Sequence, residues 1–326
     1  MKGQKFLKVV AVAVSAIALT ACGKSFDKEA SDAVKLAMDN LSKVNSSDYE
    51  LVLDGELEIS KKVFKEESGT LNLNLNVAGS YDSTDKTKPK FSAKVVVKGS
   101  KDDDKKEENV ETELRYLNDK LFASLISMSD FDGSIPTVMV QTYLGKWWYL
   151  PVPADVMAQY NLGVDESTMT PEQKQLKDLW DSTMLFKDVK KVGEETMDGV
   201  AVTKYEATLD EAALEKYTKE SSKILVGEIS AAETEEMKNF FELMSFEGEV
   251  WVGTEDKTMR KITGDLKVKD DGKSGIGANF SMEYNFTNLN GSVTIEEPKD
   301  AQLLDIMSYF LKGAPEVEGG TVTQEY

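Results

Sequence analysis

Long stretches of this chain alternate apolar and polar residues with a period of two, and this pattern constrains the fold more than any other feature. From Leu71 to Val77, leucine or valine fills every odd position and asparagine every even one. A strand with this pattern turns one face toward a core and the other toward water. Strands are predicted at 49–59, 71–77, 91–97, 114–116, 121–125, 145–150, 187–192, 200–209, 247–252, 259–268, 278–286 and 293–295.

Five other segments carry apolar residues at helical spacing, and they begin near Lys28, Thr170, Asp210, Ser230 and Asp300. Thr170 and Ser230 each stand three residues before a glutamine or glutamate, which is the pattern of a helix capping box. Strands and helices occur in separate runs, which argues against a doubly wound parallel sheet. The order predicts an α+β fold, in which inserted helices cover the apolar face of a long antiparallel sheet.

The N-terminus has the features of an export signal. Three lysines precede the apolar run 9–19, which is too short to span a membrane but suits a signal peptide. Leu19-Thr20-Ala21-Cys22 resembles the bacterial lipobox. This resemblance implies that residues 1–21 are a signal peptide and that Cys22 becomes a diacylated N-terminus. We therefore expect a lipid-anchored protein on the extracytoplasmic face of the cell membrane.

The rest of the chain is expected to form one folded unit. Residues 22–27 would be the lipidated N-terminus with a short tether, and 28–312 a single domain with a helical insertion at about 210–245. Residues 313–326 have no apolar period and are expected to be a disordered tail.

Composition narrows the range of functions. The net charge of −19 argues against nucleic-acid binding, which needs clustered Lys and Arg. Histidine is absent and Cys22 is the only cysteine, so we expect no enzyme and no cofactor. A carboxylate pair for glycoside hydrolysis remains open, although 58 acidic residues make chance pairs unavoidable. Asp102-Asp103-Asp104 is interpreted as a solvated turn, because it lacks the ligand spacing of a calcium loop.

Two groups of apolar residues are candidates for a binding site. Trp147, Trp148 and Tyr149 form the densest aromatic stretch, and alternation places Trp148 on the face opposite the other two. The helix opened by Ser230 carries one continuous apolar stripe, which suits either a lid over a lipid cavity or ordinary packing on the sheet. The stripe consists of Met237, Phe240, Phe241 and Met244.

Four short motifs resemble the LolA/LolB-like and LppX/LprG-type superfamily of bacterial lipoproteins. They are the G-x-W pattern of 145–149, the D-G strand of 198–205, the tryptophan hairpin of 249–262 and the closing segment 284–298. The resemblance implies a curved antiparallel half-barrel of about ten to eleven strands, with helices covering its concave face. In relatives, the space between sheet and helices takes up lipid or acyl chains.

Two functions therefore remain open. The first is a membrane-tethered carrier that binds lipid or another hydrophobic ligand in the half-barrel. The second is a scaffold or sensor with a filled core, which acts through contacts with other envelope proteins. The candidate cavity residues are Trp147, Trp148, Tyr149, Trp180, Met237, Phe240, Phe241, Met244 and Trp251.

Overall fold

The computed structural model describes residues 27–60, 69–101, 107–129, 137–152, 169–227, 230–270, 272 and 275–304. The helices in these ranges are α1 (Lys28–Leu41), α2 (Thr137–Tyr143), α3 (Pro171–Ser182), α4 (Glu211–Val226) and α5 (Ala231–Leu243). The strands are β1 (Ser46–Ile59), β2 (Gly69–Asp82), β3 (Lys90–Lys101), β4 (Glu108–Leu117), β5 (Lys120–Met128), β6 (Trp147–Pro151), β7 (Phe186–Met197), β8 (Val200–Leu209), β9 (Met244–Gly253), β10 (Met259–Val268), β11 (Ile276–Thr287) and β12 (Gln302–Leu303).

These twelve strands form one open sheet in the order β12-β6-β5-β4-β3-β2-β1-β11-β10-β9-β8-β7. Strands β1 to β6 form one meander and β7 to β11 form a second, and β1 joins them by pairing with β11. All pairings are antiparallel except the short one between β12 and β6. The predicted antiparallel sheet is confirmed, with one or two more strands than expected.

The register explains why the sheet has one apolar and one polar face. Leu53 of β1 pairs with Leu75 on one side and with Met282 on the other, so apolar residues form continuous rows across strands. In the next row, the amide nitrogen of Asn74 donates to Asp54 at 3.1 Å on the opposite face. Alternation within each strand thus becomes a division between two faces of the whole sheet.

Glycines on the apolar face allow the sheet to curve. A methyl group on Gly55 would collide with the backbone oxygen of Asn279 in the neighbouring strand. A methyl group on Gly248 would collide with the backbone oxygen of Thr263 and with the ring of Phe246. Glycine inside a strand permits this close approach of backbones and bends the sheet at that point.

The main core lies between the helices and one half of the sheet. Helices α1 and α5 pack on β9 and β10, and α1 also packs on β7, while α4 lies between α3 and α5. The core extends under these helices from β7 to β11 and β1. Fully buried side chains from both layers meet there, among them Val34, Phe186, Phe241, Phe246 and Ile262.

Both predicted capping boxes are present. The hydroxyl of Thr170 accepts from the backbone of Gln173 at 3.2 Å, and the Gln173 side chain accepts in return from Thr170 at 2.8 Å. Ser230 and Glu233 form the same reciprocal pair at 3.2 and 3.1 Å. Both helix starts predicted from these residues are confirmed.

The end of the described chain differs from prediction. The predicted strand through Val293 and Ile295 is wrong, because these residues form neither helix nor strand. The prediction of a helix from Asp300 is also wrong for its first residues, because Gln302 and Leu303 form strand β12 instead. The edge of β6 explains this difference: its backbone groups pair with β12, and the amide of Leu304 donates to Tyr149 at 2.9 Å. Helix α2 was not predicted at all.

Several predictions fall outside the described residues, namely the signal segment 1–21, Cys22, Asp102-Asp103-Asp104 and the tail 313–326. In the part of the chain that the structure describes, no helix is both long enough and apolar enough to span a membrane.

Candidate functional site: the apolar face of strands β2 to β6

The stripe of helix α5 belongs to the main core. Phe241 is 1% exposed and Met244, which begins β9, is 3% exposed. Met237 and Phe240 are partly buried against the same core, and the rings of Phe240 and Phe241 lie 5.6 Å apart. Trp180 of α3 also packs there. Of the two interpretations left open for this helix, packing on the sheet agrees with these positions.

Trp251 lies on the opposite, polar face of the sheet. It pairs directly with Lys204 of β8 and with Lys261 of β10, whose ammonium groups lie 5.1 and 5.6 Å from its ring centre. Its indole nitrogen donates to Glu195. These neighbours cover the ring, which is only 7% exposed. Trp251 is therefore part of a cation–π and ion-pair cluster on the polar face.

Trp147 and Tyr149 also lie on the polar face. The guanidinium of Arg115 stacks on the ring of Trp147 at 4.8 Å, and the ring of Tyr149 lies 5.8 Å from that of Phe122. Phe122 is fully buried although it points away from the main core. A second, smaller apolar cluster thus lies on the polar side of β5 and β6.

The segment that leads to β12 passes over this second cluster. Lys120 donates to Glu297 at 2.7 Å, and Asn118 donates to the same carboxylate at 3.1 Å. Hydrogen bonds from Lys120 and then from Asn118 lower the pKa of Glu297. Arg115 donates to the backbone oxygen of Glu296 at 3.0 Å. These contacts fix the segment against the sheet, where it brings β12 to the edge of β6.

Trp148 points to the apolar face and so lies opposite Trp147 and Tyr149, as alternation predicted. It pairs with Ala123 of β5, whereas Trp147 pairs with Ser124 and Tyr149 with Phe122 on the other side. The ring of Tyr143, at the end of α2, lies 5.2 Å from the ring of Trp148. The Nε1 atom of Trp148 is buried and has no hydrogen-bond partner within the described structure.

The nine candidate cavity residues are therefore not brought together. Five lie in the core under the helices, three lie on the polar face, and Trp148 lies on the apolar face of β6. These residues were chosen as candidates because they are aromatic or methionine. The alternation of each strand, however, decides the face on which an aromatic side chain of that strand lies.

The register reveals a different apolar surface, which we call the β2–β6 apolar face. It consists of four rows of cross-strand neighbours. The rows are Tyr81, Phe91, Tyr116, Leu121 and Leu150; Gly79, Ala93, Leu114, Ala123 and Trp148; Val77, Val95, Thr112 and Leu125; and Leu75, Val97, Val110 and Met128.

Burial on this face is greatest near Tyr116 and Ala93 and least near Val97. Tyr116 and Ala93, in the first two rows, are 1% and 7% exposed, whereas Val97 in the last row is 37% exposed. Six residues separate Tyr81 from Leu75, so the face is roughly 20 Å long and, across five strands, roughly 19 Å wide. Among the described helices, α2 packs here, beside β5. The largest apolar patch on a protein is often functional.

The charged group at the first row of this face is Asp119, whose carboxylate accepts from the hydroxyl of Tyr116 at 3.5 Å. A groove at Asp54, Asn72 and Lys98 lies on the polar side of the same strands. Where the main core meets β2, burial raises the pKa of Tyr284 to about 12 and also raises that of Tyr49. The hydroxyl of Tyr49 donates to the backbone oxygen of Ser92 at 2.9 Å. These tyrosines are neutral at physiological pH, so this part of the interior is uncharged.

Within the described ranges, no group of three or more acidic, histidine or cysteine side chains is arranged to hold a metal ion. The residues on the β2–β6 apolar face are apolar or aromatic, and their polar groups are one threonine hydroxyl, the tyrosine hydroxyls and the indole N–H of Trp148. Such a surface has the chemistry to bind a hydrophobic molecule.

Neither a protein-family model nor a curated protein matches this chain. It is similar to solved structures that include the Mycobacterium tuberculosis lipoprotein LppX, at 13% identity and TM-score 0.37, covering 83% of this chain and 100% of that one. LprF from Mycobacterium bovis is similar at 12% identity and TM-score 0.38, covering 84% and 99%. MucB in complex with MucA(peri) is similar at 11% identity and TM-score 0.25, covering 82% and 57%.

These structures include the LppX/LprG type. The chain is similar to structures of the type that its sequence motifs resemble.

Proposed function

We propose that this protein is a membrane-anchored lipoprotein of the cell envelope that binds lipid or another hydrophobic ligand on its β2–β6 apolar face. The observation that carries the proposal is the difference in exposure along that face, from the buried Tyr116 in its first row to the exposed Val97 in its last row. A surface that is apolar, partly buried and more exposed at one end suits a long hydrophobic molecule that enters from that end.

The proposed anchor keeps this surface close to the bilayer. Helix α1 begins at Lys28, so five residues separate Cys22 from the folded structure. Five extended residues reach at most roughly 17 Å. The acidic chain would be repelled by anionic headgroups, so the acyl chains on Cys22 must provide the attachment. A short tether would let the exposed end of the apolar face exchange ligand with the membrane.

The proposed activity is binding without catalysis. The chain has no histidine, and its single cysteine is the proposed anchor. The candidate site carries no carboxylate pair and no nucleophile beside a base, which are the usual requirements of hydrolysis. The acidic chain also lacks the clustered cations that nucleic acid requires.

A second function is favoured by one observation, the dense packing of the main core. Phe241, Met244 and Phe246 fill the space between α5 and the sheet. A filled core agrees with an envelope scaffold or sensor that acts through protein contacts. Under this alternative, the β2–β6 apolar face would be covered by protein instead of lipid.

Lipid extraction distinguishes the two functions. The exported Cys22→Ala protein, purified without detergent, should yield close to one lipid per chain by mass spectrometry. After delipidation it should bind a fluorescent fatty acid. If neither lipid nor fatty-acid binding is found, the carrier proposal is wrong and the scaffold is favoured.

A further inference from the structure

Trp148 carries an unused hydrogen-bond donor at the β2–β6 apolar face. Its Nε1 atom is buried, and no described group accepts from it. A buried donor without a partner is destabilising, so proteins rarely retain one without a reason. Trp251, by contrast, lies on the polar face and donates to Glu195.

The described neighbours of Trp148 in its cross-strand row offer no acceptor to its indole nitrogen. Its cross-strand neighbour on β5 is Ala123, a small side chain that cannot accept a hydrogen bond. Beyond it in the same row lie Leu114 and Ala93, which are also apolar. The ring of Tyr143 lies 5.2 Å away and packs against the indole. The partner that these neighbours do not supply would be an acceptor on a ligand that displaces the groups covering Nε1.

The charges on these strands indicate which acceptor fits. Cationic side chains lie on the opposite face, at Lys94, Lys98, Arg115 and Lys120. Lys101 shares the apolar side but stands eight residues along β3 from Ala93, roughly 26 Å away. Lys146 stands two residues before Trp148, and its ammonium donates to the backbone oxygen of Thr142 at 3.0 Å. A carboxylate or phosphate beside Trp148 would have to take that ammonium from its carbonyl partner or be desolvated without a cation. A neutral carbonyl oxygen carries no such penalty.

We propose that the indole N–H of Trp148 donates a hydrogen bond to the ester carbonyl of an acylated ligand whose hydrocarbon chain lies along the β2–β6 apolar face. This inference rests on the proposed function, since it names the chemistry of the ligand bound there. It predicts that acyl esters bind more tightly than hydrocarbons of equal length.

The test compares methyl palmitate with octadecane as displacers of N-phenyl-1-naphthylamine from the delipidated full chain carrying Cys22→Ala. Trp148→Phe should weaken binding of the ester by roughly three- to tenfold, the loss of one hydrogen bond, and leave the hydrocarbon unchanged. Trp147→Phe is the matched control, because it removes an indole from the other face of the same strand.

Equal weakening of ester and hydrocarbon by Trp148→Phe would show a packing role only and would overturn the inference. Binding of both ligands without any effect of the substitution would also overturn it, while the proposed function would stand. Failure of both ligands to bind the unsubstituted protein would overturn the proposed function itself.

A second measurement does not depend on how well the variant folds. The chain has four tryptophans, so four indole N–H signals are expected in a ¹H–¹⁵N spectrum. Methyl palmitate should shift the indole N–H proton signal of Trp148 downfield, because a hydrogen bond deshields the donor proton. Octadecane has no acceptor and should not cause this shift. A Trp148 signal that moves equally with both ligands would contradict the proposed hydrogen bond.

Discussion

Replacing Phe241 by alanine tests whether helix α5 is a fixed part of the core or a lid. The side chain is 1% exposed, and α5 packs on β9 and β10. Removing a fully buried phenylalanine costs about 3–5 kcal/mol, because it loses apolar burial and leaves a cavity. At about 2–4 °C per kcal/mol, the melting temperature of the delipidated protein should fall by roughly 6–20 °C.

Two control variants on the same helix make the result specific. Phe240→Ala removes a ring that is only partly buried, so its effect should be clearly smaller. Lys238→Ala removes an exposed ion pair with Glu242 at 3.6 Å and should change stability by less than about 0.5 kcal/mol. Urea unfolding followed by circular dichroism gives all three values. An unchanged midpoint for Phe241→Ala without ligand would refute the packed core and identify α5 as a lid.

Other substitutions test the anchor, the helix cap, the strand faces and the buried tyrosine. Cys22→Ala should move the protein from the detergent phase to the aqueous phase in a partitioning assay. Ser230→Ala should cost about 1 kcal/mol in urea unfolding, since it removes a capping hydroxyl. In variants that keep only one of the two residues, iodide should quench Trp147 more than Trp148, and equal quenching would contradict their opposite faces. The pKa of Tyr284 rises from 10.0 to about 12 on folding, so its stabilising contribution is complete below pH 10 and is lost between pH 10 and 12. Unfolding midpoints over that range should fall less for Tyr284→Phe.

The strands were predictable because alternation is a local signal. The predicted limits 200–209 and 259–268 coincide with β8 and β10. Strand β12 was not predictable in this way, because two residues carry no period and their pairing depends on the free edge of β6. The same edge explains why apolar residues after Asp300 begin a strand instead of the expected helix.

The site was less predictable than the fold. Trp251 stands between Val250 and Val252, and these valines face the core, so alternation alone places the tryptophan on the polar face. Aromatic character was therefore a poor guide to the residues of a binding site. The face on which each residue lies in its strand was a better guide. The β2–β6 apolar face depends on which strands the helices cover, and that is decided by packing over long sequence separations.

Two adjacent residues of β3 allow the central claim to be tested directly. Val97 lies at the exposed end of the β2–β6 apolar face, whereas Val96 lies beside it on the polar face. Binding of uncharged N-phenyl-1-naphthylamine to the delipidated protein should weaken by at least about tenfold in Val97→Glu, because the carboxylate would be desolvated beside the ligand. Val96→Glu should bind it normally. Equal binding by both variants would contradict a hydrophobic site on this face.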